Sequence, residues 1–288
     1  MDGIQRKVNY RVRPGEVAEV LLESREAAAS QLEGTEERPQ ILYEDGDVLA
    51  ALKPAGLVTH PAGGHYRDTL ANQLASYLKD KQEASVIRIL GRLDRETSGL
   101  ILAAKNRTAA GRLERQRETG DFQKIYLAVT EGIPKAQKGY VESPIGPCPK
   151  RKGKMQISPQ GKQAFTKYEV LEERKETGMA LLRLELFTGR THQIRVHMAS
   201  LGCPLAGDTL YRTSQEQGIA RAALHAWKLS FRQPFTGERI RVTAPLPKDM
   251  RLLLERGGLS ESSLLLKEER AWELISCGSV RHMVRYGK

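Results

Sequence analysis

Cysteine is scarce in this 288-residue chain: Cys148, Cys203 and Cys277 are scattered and odd in number. No C-x-x-C pair occurs, which argues against a disulfide framework and against a zinc knuckle. Long hydrophobic runs are missing too. None approaches the roughly 20 apolar residues that span a bilayer. The start, Met1-Asp2-Gly3-Ile4-Gln5, has no apolar signal-peptide core, so a reducing cytoplasm is the simplest location. Internal repeats and low-complexity tracts are absent. Acidic residues are in deficit: 35 Asp and Glu stand against 46 Lys and Arg, for a net charge of +11 and a pI near 9.6. Such an excess favours a polyanionic partner through phosphate contacts and counterion release, although charge kept for solubility alone would look the same. Hydrophobic content of 40% and charged content of 28% suit a soluble globular chain.

What is present is mostly short strands. Val8 to Val12 reads as a strand, Val17 to Ala29 as a short helix, and Glu33 to Pro39 as a polar linker. Ile41-Leu42-Tyr43 and Val48 to Leu52 flank Glu44-Asp45-Gly46-Asp47, a hairpin signal. Asp68 is placed to cap a helix carrying Leu70, Leu74 and Leu78 on one face. Thr108 to Arg117 is a second helix candidate with a strongly basic surface. Strands are expected at 122–130, 165–172, 180–187, 224–231 and 240–244, with helices from Thr191 to Gly202 and from Pro247 to Glu255. Many strands with few helices between them predict an α+β fold on a mixed, mostly antiparallel sheet. The tail, with Leu264-Leu265-Leu266 and Trp272 to Ile275, reads as an amphipathic helix.

The most informative stretch is Gly91-Arg92-Leu93-Asp94-Arg95-Glu96-Thr97-Ser98-Gly99-Leu100. It sets one carboxylate between two arginines. The apolar runs Val86–Leu90 and Leu100–Ala104 flank it, a strand-loop-strand pattern. Cations favour the charged form of a carboxylate, which is then available as nucleophile or base. A hairpin tip whose Asp and Arg merely pair in water fits the same segment.

Further segments carry chemistry-bearing residues. In Phe122 to Gly132, alternation puts Tyr126 on one face with Lys124 and Ala128; a strand Tyr is also commonly a core residue. Phe187-Thr188-Gly189-Arg190-Thr191-His192-Gln193-Ile194-Arg195-Val196-His197 follows a strand and opens a helix. Arg190, at the strand's end, can reach a carboxylate on a neighbouring loop bidentately. His192 and His197, five apart on a helix, would point about 140° from each other, poor geometry for a metal. Gly202 to Tyr211 is a Gly/Pro loop with one acid, Asp208, and Leu224-His225-Ala226 opens a strand. Pro147 to Lys154 crowds Lys150, Arg151, Lys152 and Lys154 onto a proline-flanked loop, which suits phosphate contact or a solvated tip.

Taken in order, Lys53-Pro54-Ala55-Gly56-Leu57-Val58-Thr59-His60-Pro61, Gly91 to Asp94 with Thr97-Ser98-Gly99, Lys124-Ile125-Tyr126-Leu127-Ala128, Thr188 to His197, Gly207-Asp208 and Leu224-His225-Ala226 resemble the RluA/RluD-type pseudouridine synthases over about residues 40 to 247. The resemblance implies isomerisation of a uridine within RNA. The C1′–N1 bond breaks, the uracil turns, and C5 joins C1′, with no cofactor, ATP or metal. It implies a catalytic domain over 40–250 with the active site in a central cleft, after an N-terminal extension and linker, 1–39, without a complete S4-like module. A tail, 251–288, follows. By the same resemblance Asp94 attacks C1′ or takes the C2′ proton. Arg190 pairs with it, with Arg195 as the alternative. Tyr126 packs on the uracil, and Arg92 enters the space the flipped uridine leaves. His192, Leu224 and the cations Lys150, Arg151, Lys152 and Lys154 join Arg92 and Arg195 in contacting RNA. The family usually has His at the position of Gly91. The expected partner is RNA, ribosomal first and transfer RNA second, and a monomer is the default. A non-catalytic RNA binder on the same scaffold would lack reason to keep Asp94, Tyr126 and Arg190. A DNA- or membrane-surface-binding basic protein gives no reason for the ordered motifs.

Overall fold

The computed structural model describes residues 10–11, 13–15, 32, 35–83, 86–212 and 218–261. The strand and helix expected over 8–29, and the tail helix, lie outside them. In chain order the elements are β1 (Gln40–Glu44), β2 (Val48–Lys53), α1 (Leu70–Asp80), β3 (Arg88–Leu90), β4 (Ser98–Ala104), α2 (Arg107–Thr119), β5 (Gln123–Glu131), β6 (Lys138–Glu142), β7 (Ile145–Pro147), β8 (Met155–Ile157), β9 (Phe165–Arg174), β10 (Met179–Leu186), α3 (Gln193–Ser200), β11 (Leu224–Arg232), β12 (Arg239–Thr243) and α4 (Lys248–Arg256). The expected β1–β2 hairpin forms. Thr69, not Asp68, caps α1: its hydroxyl accepts from Asn72 N–H while Asn72 Oδ1 accepts from Thr69 N–H, a reciprocal cap.

One ten-stranded sheet runs in the order β1-β2-β4-β11-β5-β10-β9-β6, with β12 on β11 and β3 on β4, and β7 and β8 form a separate hairpin. Its pairings are antiparallel except that of β11 with β4. The architecture is α+β, as the strand-rich pattern predicts. Alternation along β5 sorts the core. Tyr126 and Ala128 pack with Leu70, Leu74 and Leu78 of α1 and Ile194 and Met198 of α3. Ile125, Leu127 and Val129 pack with Met250, Leu253 and Leu254 of α4 on the opposite face. Under α2, Ala109 and Leu113 meet Leu100 and Leu102 of β4 and Leu229 and Phe231 of β11. Helices on both faces explain why β4 is buried at all 7 positions and reads as an unbroken apolar run rather than an alternating one.

The parallel junction is tight. His225 lies opposite Ser98 and Ala226 opposite Gly99. A Cβ on Gly99, whose φ is +116°, would stand 2.3 Å from the Ala226 carbonyl oxygen. Only glycine fits there. Gly99→Ala is therefore expected to lose roughly 3 kcal/mol or more of stability in urea unfolding. Gly111→Ala, in the open middle of α2, should be neutral or gain up to about 1 kcal/mol. Equal effects would refute the steric account.

A second knot joins β1 to its neighbours. Glu44 pairs with Lys105 at 2.6 Å and Lys81 at 2.8 Å and accepts from the Tyr77 hydroxyl at 2.6 Å. Burial pushes its pKa up, but these donors outweigh it and bring the carboxyl down to about 2. A carboxylate depressed on folding stabilises the protein above its unfolded pKa and loses that contribution as pH falls through the folded one. Glu44→Gln should cost roughly 2–3 kcal/mol at pH 7. The gap to wild type should shrink between about pH 4.5 and 2, read from unfolding midpoints at each pH.

Candidate active site

A cleft of about 450 Å³ opens where the β3–β4 loop, β5, the start of β11 and the turn into α3 converge, and Asp94, Tyr126, His192, Arg195 and Leu224 all line it. The β4–β11 junction sets their spacing, because β11 also pairs with β5 and places Ala226 opposite Tyr126.

The Asp94 loop is held by its backbone. Thr59 Oγ1 donates to Leu93 O at 2.9 Å, Gly56 N–H to Arg95 O at 2.9 Å, and Arg221 Nη1 to Glu96 O at 3.1 Å. Lys53 Nζ, fully buried, donates to Pro54 O, Leu57 O and Arg95 O at 2.8, 2.7 and 3.1 Å. Burial pushes the Lys53 pKa down to about 7, against the pull of Glu96 and Asp94. Three carbonyl acceptors call for three N–H donors, the ammonium form. Half-buried at the cleft, the Asp94 carboxylate makes no hydrogen bond or ion pair with any described residue. The loop fixes its backbone and leaves its oxygens open.

Tyr126 is 7% exposed and packs in the core under α1 and α3. Burial, then the Asp94 charge, push its hydroxyl pKa up, so the ring meets the cleft as a neutral phenol. Lys124, on the same face of β5, is half-buried in the cleft wall. Burial and the neighbouring Arg117 push it down to about 7.

The turn into α3 is built around Gln193. Its Oε1 accepts from Thr188 Oγ1 and Arg190 N–H, and its Nε2 donates to Phe165 O and Thr166 Oγ1. The backbone enters through His192 at φ +56°, a left-handed conformation, and α3 starts only at Gln193. The expected Arg190–Asp94 ion pair is not formed: Arg190 lines the cleft, but its Nε donates to Gln163 O at 2.9 Å. Arg195, one turn into α3, is the arginine held deepest in the site. Its Nε and Nη2 grip Asp208 at 2.7 Å each, and its guanidinium lies 5.1 Å from the Tyr211 ring centre. Burial works against the Arg195 charge, yet Asp208 outweighs it and Asp94 adds to the effect, so its pKa is raised. His197 spends both ring nitrogens, on Thr166 Oγ1 at 2.8 Å and Ser143 O at 3.1 Å, as a core histidine does. The sequence offers Asp208 as a loop acid and part of a resembling motif, and Tyr211 only as part of that loop; their pairing with residues 13 or more positions away leaves no local signal.

A family model described as RNA pseudouridylate synthase matches residues 47–200. The chain belongs to the RluA-type RNA pseudouridine synthases. It is 39% identical to the uncharacterized RNA pseudouridine synthase YlyB of Bacillus subtilis over 258 residues, 88% of this chain and 84% of the relative. It is 42% identical to the ribosomal large subunit pseudouridine synthase D of Nitrosomonas europaea over 225 residues, 75% of this chain and 64% of the relative. Its fold matches the human RNA pseudouridylate synthase domain containing 1 protein with TM-score 0.63 and 28% identity, over 83% of this chain and 97% of that one.

Two further features of this synthase border the cleft. Gly91, where the resemblance leads one to expect His, has φ +77°, and Arg117 Nη2 stands 4.0 Å from where its Cβ would be. A guanidinium from α2 thus lies beside the open position. The cations Lys150, Arg151 and Lys152 stand exposed on the β7–β8 tip. That hairpin is fastened to the site: Met155 N–H donates to the Tyr211 hydroxyl at 2.9 Å, and Lys154 Nζ lies 5.2 Å from the Tyr211 ring centre. No helix among the described residues is long and apolar enough to cross a membrane.

Proposed function

We propose that this synthase converts uridine to pseudouridine in structured ribosomal RNA, with Asp94 as the reacting carboxylate. The observation that carries the reading is the cleft itself. Four separate elements bring Asp94, Tyr126, Arg195 and Leu224 together, and the Asp94 oxygens are left unengaged. Either attack on C1′ or removal of the C2′ proton needs such a carboxylate beside a fixed cation. Arg195, anchored by Asp208, supplies the cation. The Tyr126 ring offers the uracil a face to rest on while it turns. Paired bases hide C1′ and C5, so the target nucleotide is flipped into the cleft, and exposed Arg92 at the rim stacks in the space it leaves. Ribosomal RNA is the proposed substrate because several relatives are named ribosomal large subunit pseudouridine synthase D.

Asp94→Asn should lower pseudouridine formation by roughly 10³-fold or more while the RNA dissociation constant stays close to wild type. Full activity in that variant would remove Asp94 from the chemistry. Replacing Lys150, Arg151, Lys152 and Lys154 with Ala should flatten the slope of log K against log salt by about 3 if each contacts a phosphate. An unchanged slope would take the hairpin out of the RNA interface. Mapping pseudouridine across cellular RNA with and without the gene tests the ribosomal assignment.

A further inference from the structure

The cleft contains one polar side chain whose protonation state the surrounding bonds dictate. His192 Nδ1 lies 3.0 Å from the Tyr211 hydroxyl. That hydroxyl already accepts from Met155 N–H at 2.9 Å. Were Nδ1 the donor, the phenol would accept twice and its own hydrogen would have no acceptor among the described residues. With the Tyr211 O–H donating to Nδ1, every group is used. Nδ1 is then the acceptor, and the ring proton sits on Nε2.

Nε2 has no hydrogen-bond partner among the described residues, and the ring lines the cleft with Asp94 and Tyr126. The ring stands edge-on to Tyr211, with centroids 5.8 Å apart at 86°. Its backbone is held at φ +56°, a left-handed conformation uncommon outside glycine, though histidine, like Asn and Asp, adopts it more readily than most residues. Its ordinary basicity is reduced: burial lowers the pKa, Asp94 pulls it up, and Arg195 opposes Asp94. The ring is thereby kept as a neutral N–H donor beside the carboxylate instead of a cation paired with it.

We infer that His192 is a catalytic hydrogen-bond donor, its Nε2–H contacting a uracil carbonyl oxygen, and that Tyr211 is a positioning residue that fixes the tautomer. This rests on the reading of the cleft as a pseudouridine synthase site. When the C1′–N1 bond breaks, its electron pair leaves with N1, and the charge spreads over O2 and O4 of the detached uracil. An N–H donor strengthens its bond to these oxygens as the charge develops, with no proton changing hands. The pair returns when C5 bonds to C1′; the C5 proton then leaves and N1, freed from the sugar, takes up one proton, so the overall step is an isomerisation. The same hydrogen bond keeps the free base in the cleft while it turns.

The full-length chain tests this in two arms. In the first, selective ¹⁵N-histidine labelling reports the His192 tautomer at about pH 8, with the signal assigned by its absence in His192→Asn. A neutral ring protonated at Nε2, perturbed by Tyr211→Phe, is expected; a proton on Nδ1 overturns the inference whatever the activity. In the second, single-turnover rates and RNA dissociation constants are measured on ribosomal RNA. His192→Gly keeps the backbone conformation and removes the donor, so its rate should fall roughly 10²–10³-fold with RNA binding little changed. His192→Asn tolerates the same backbone and keeps an N–H, so it should recover part of the loss. Tyr211→Phe should cost roughly tenfold and nothing further on top of His192→Gly. A His192→Gly variant with the wild-type rate overturns the inference alone. Additive losses overturn the positioning role of Tyr211. A wild type that converts no uridine overturns the reading of the cleft, and the inference with it.

Discussion

The contact on which the site depends is the backbone approach of Gly99 to Ala226. β4 and β11 are the parallel neighbours in the main sheet, and that pairing exists because position 99 has no side chain. Through it, the loop before β4 and the start of β11 lie side by side, and β11 in turn carries β5. Asp94, Leu224 and Tyr126 come from three distant parts of the sequence. Their separation in space is set by sheet register, a quantity that hardly varies, rather than by side-chain contacts that could relax. Sites built on strand ends inherit the rigidity of the sheet.

On that register the loops are tied down through main-chain atoms. Carbonyls of Leu93 and Arg95 accept from the segment 53–59, through Thr59 and through Gly56 with Lys53, and that of Glu96 accepts from Arg221. This frees the side chains of the same loop. Asp94 faces the cleft and Arg92 faces solvent, so one loop presents a carboxylate to the cleft and a guanidinium to solvent without either being spent on holding the loop. Burying Lys53 is costly unless its charge is met by acceptors, and three carbonyls meet it.

Much of this was legible before the fold was known, for identifiable reasons. Two apolar runs around Gly91–Ser98 announced the β3–β4 loop, and the alternation in β5 put Lys124 and Tyr126 on one face, where the structure has them. The segment Thr188 to Arg195 departs from its sequence expectation. Read as a strand running straight into a helix from Thr191, it offers Arg190 as the residue nearest a neighbouring loop. In the structure Gln193 folds the turn back on itself and His192 reverses the backbone hand, so α3 starts two residues later. Arg190 is turned toward Gln163 and Arg195 toward Asp208. No periodicity encodes a left-handed histidine. The short strands β6, β7 and β8 went unseen too. Lys-Gly-Tyr-Val-Glu in β6 is an edge segment with one face exposed, and three-residue strands are too short to show a period. The Asp68 cap was misplaced by a single position because Asp68 and Thr69 are both capping residues.

The electrostatics of the cleft follow from which acid each arginine holds. A bidentate fork from Arg190 or Arg195 onto Asp94 would have occupied both carboxylate oxygens, and a nucleophile or base needs a free lone pair. Asp208, fully buried, takes that fork instead. It uses Nε and Nη2 of Arg195 and pins the guanidinium over the Tyr211 ring. The buried pair costs desolvation, but it fixes the Arg195 guanidinium in the site without its hydrogen bonds reaching Asp94. Arg117 is likewise engaged by Glu114 at 3.0 Å. Arg117 and Arg195 are thus each held by an acid other than Asp94, and Arg190 by the Gln163 carbonyl, so none of the three consumes the Asp94 oxygens. Two aspartates thus divide the site: Asp208 is satisfied by Arg195, and Asp94 keeps its oxygens open.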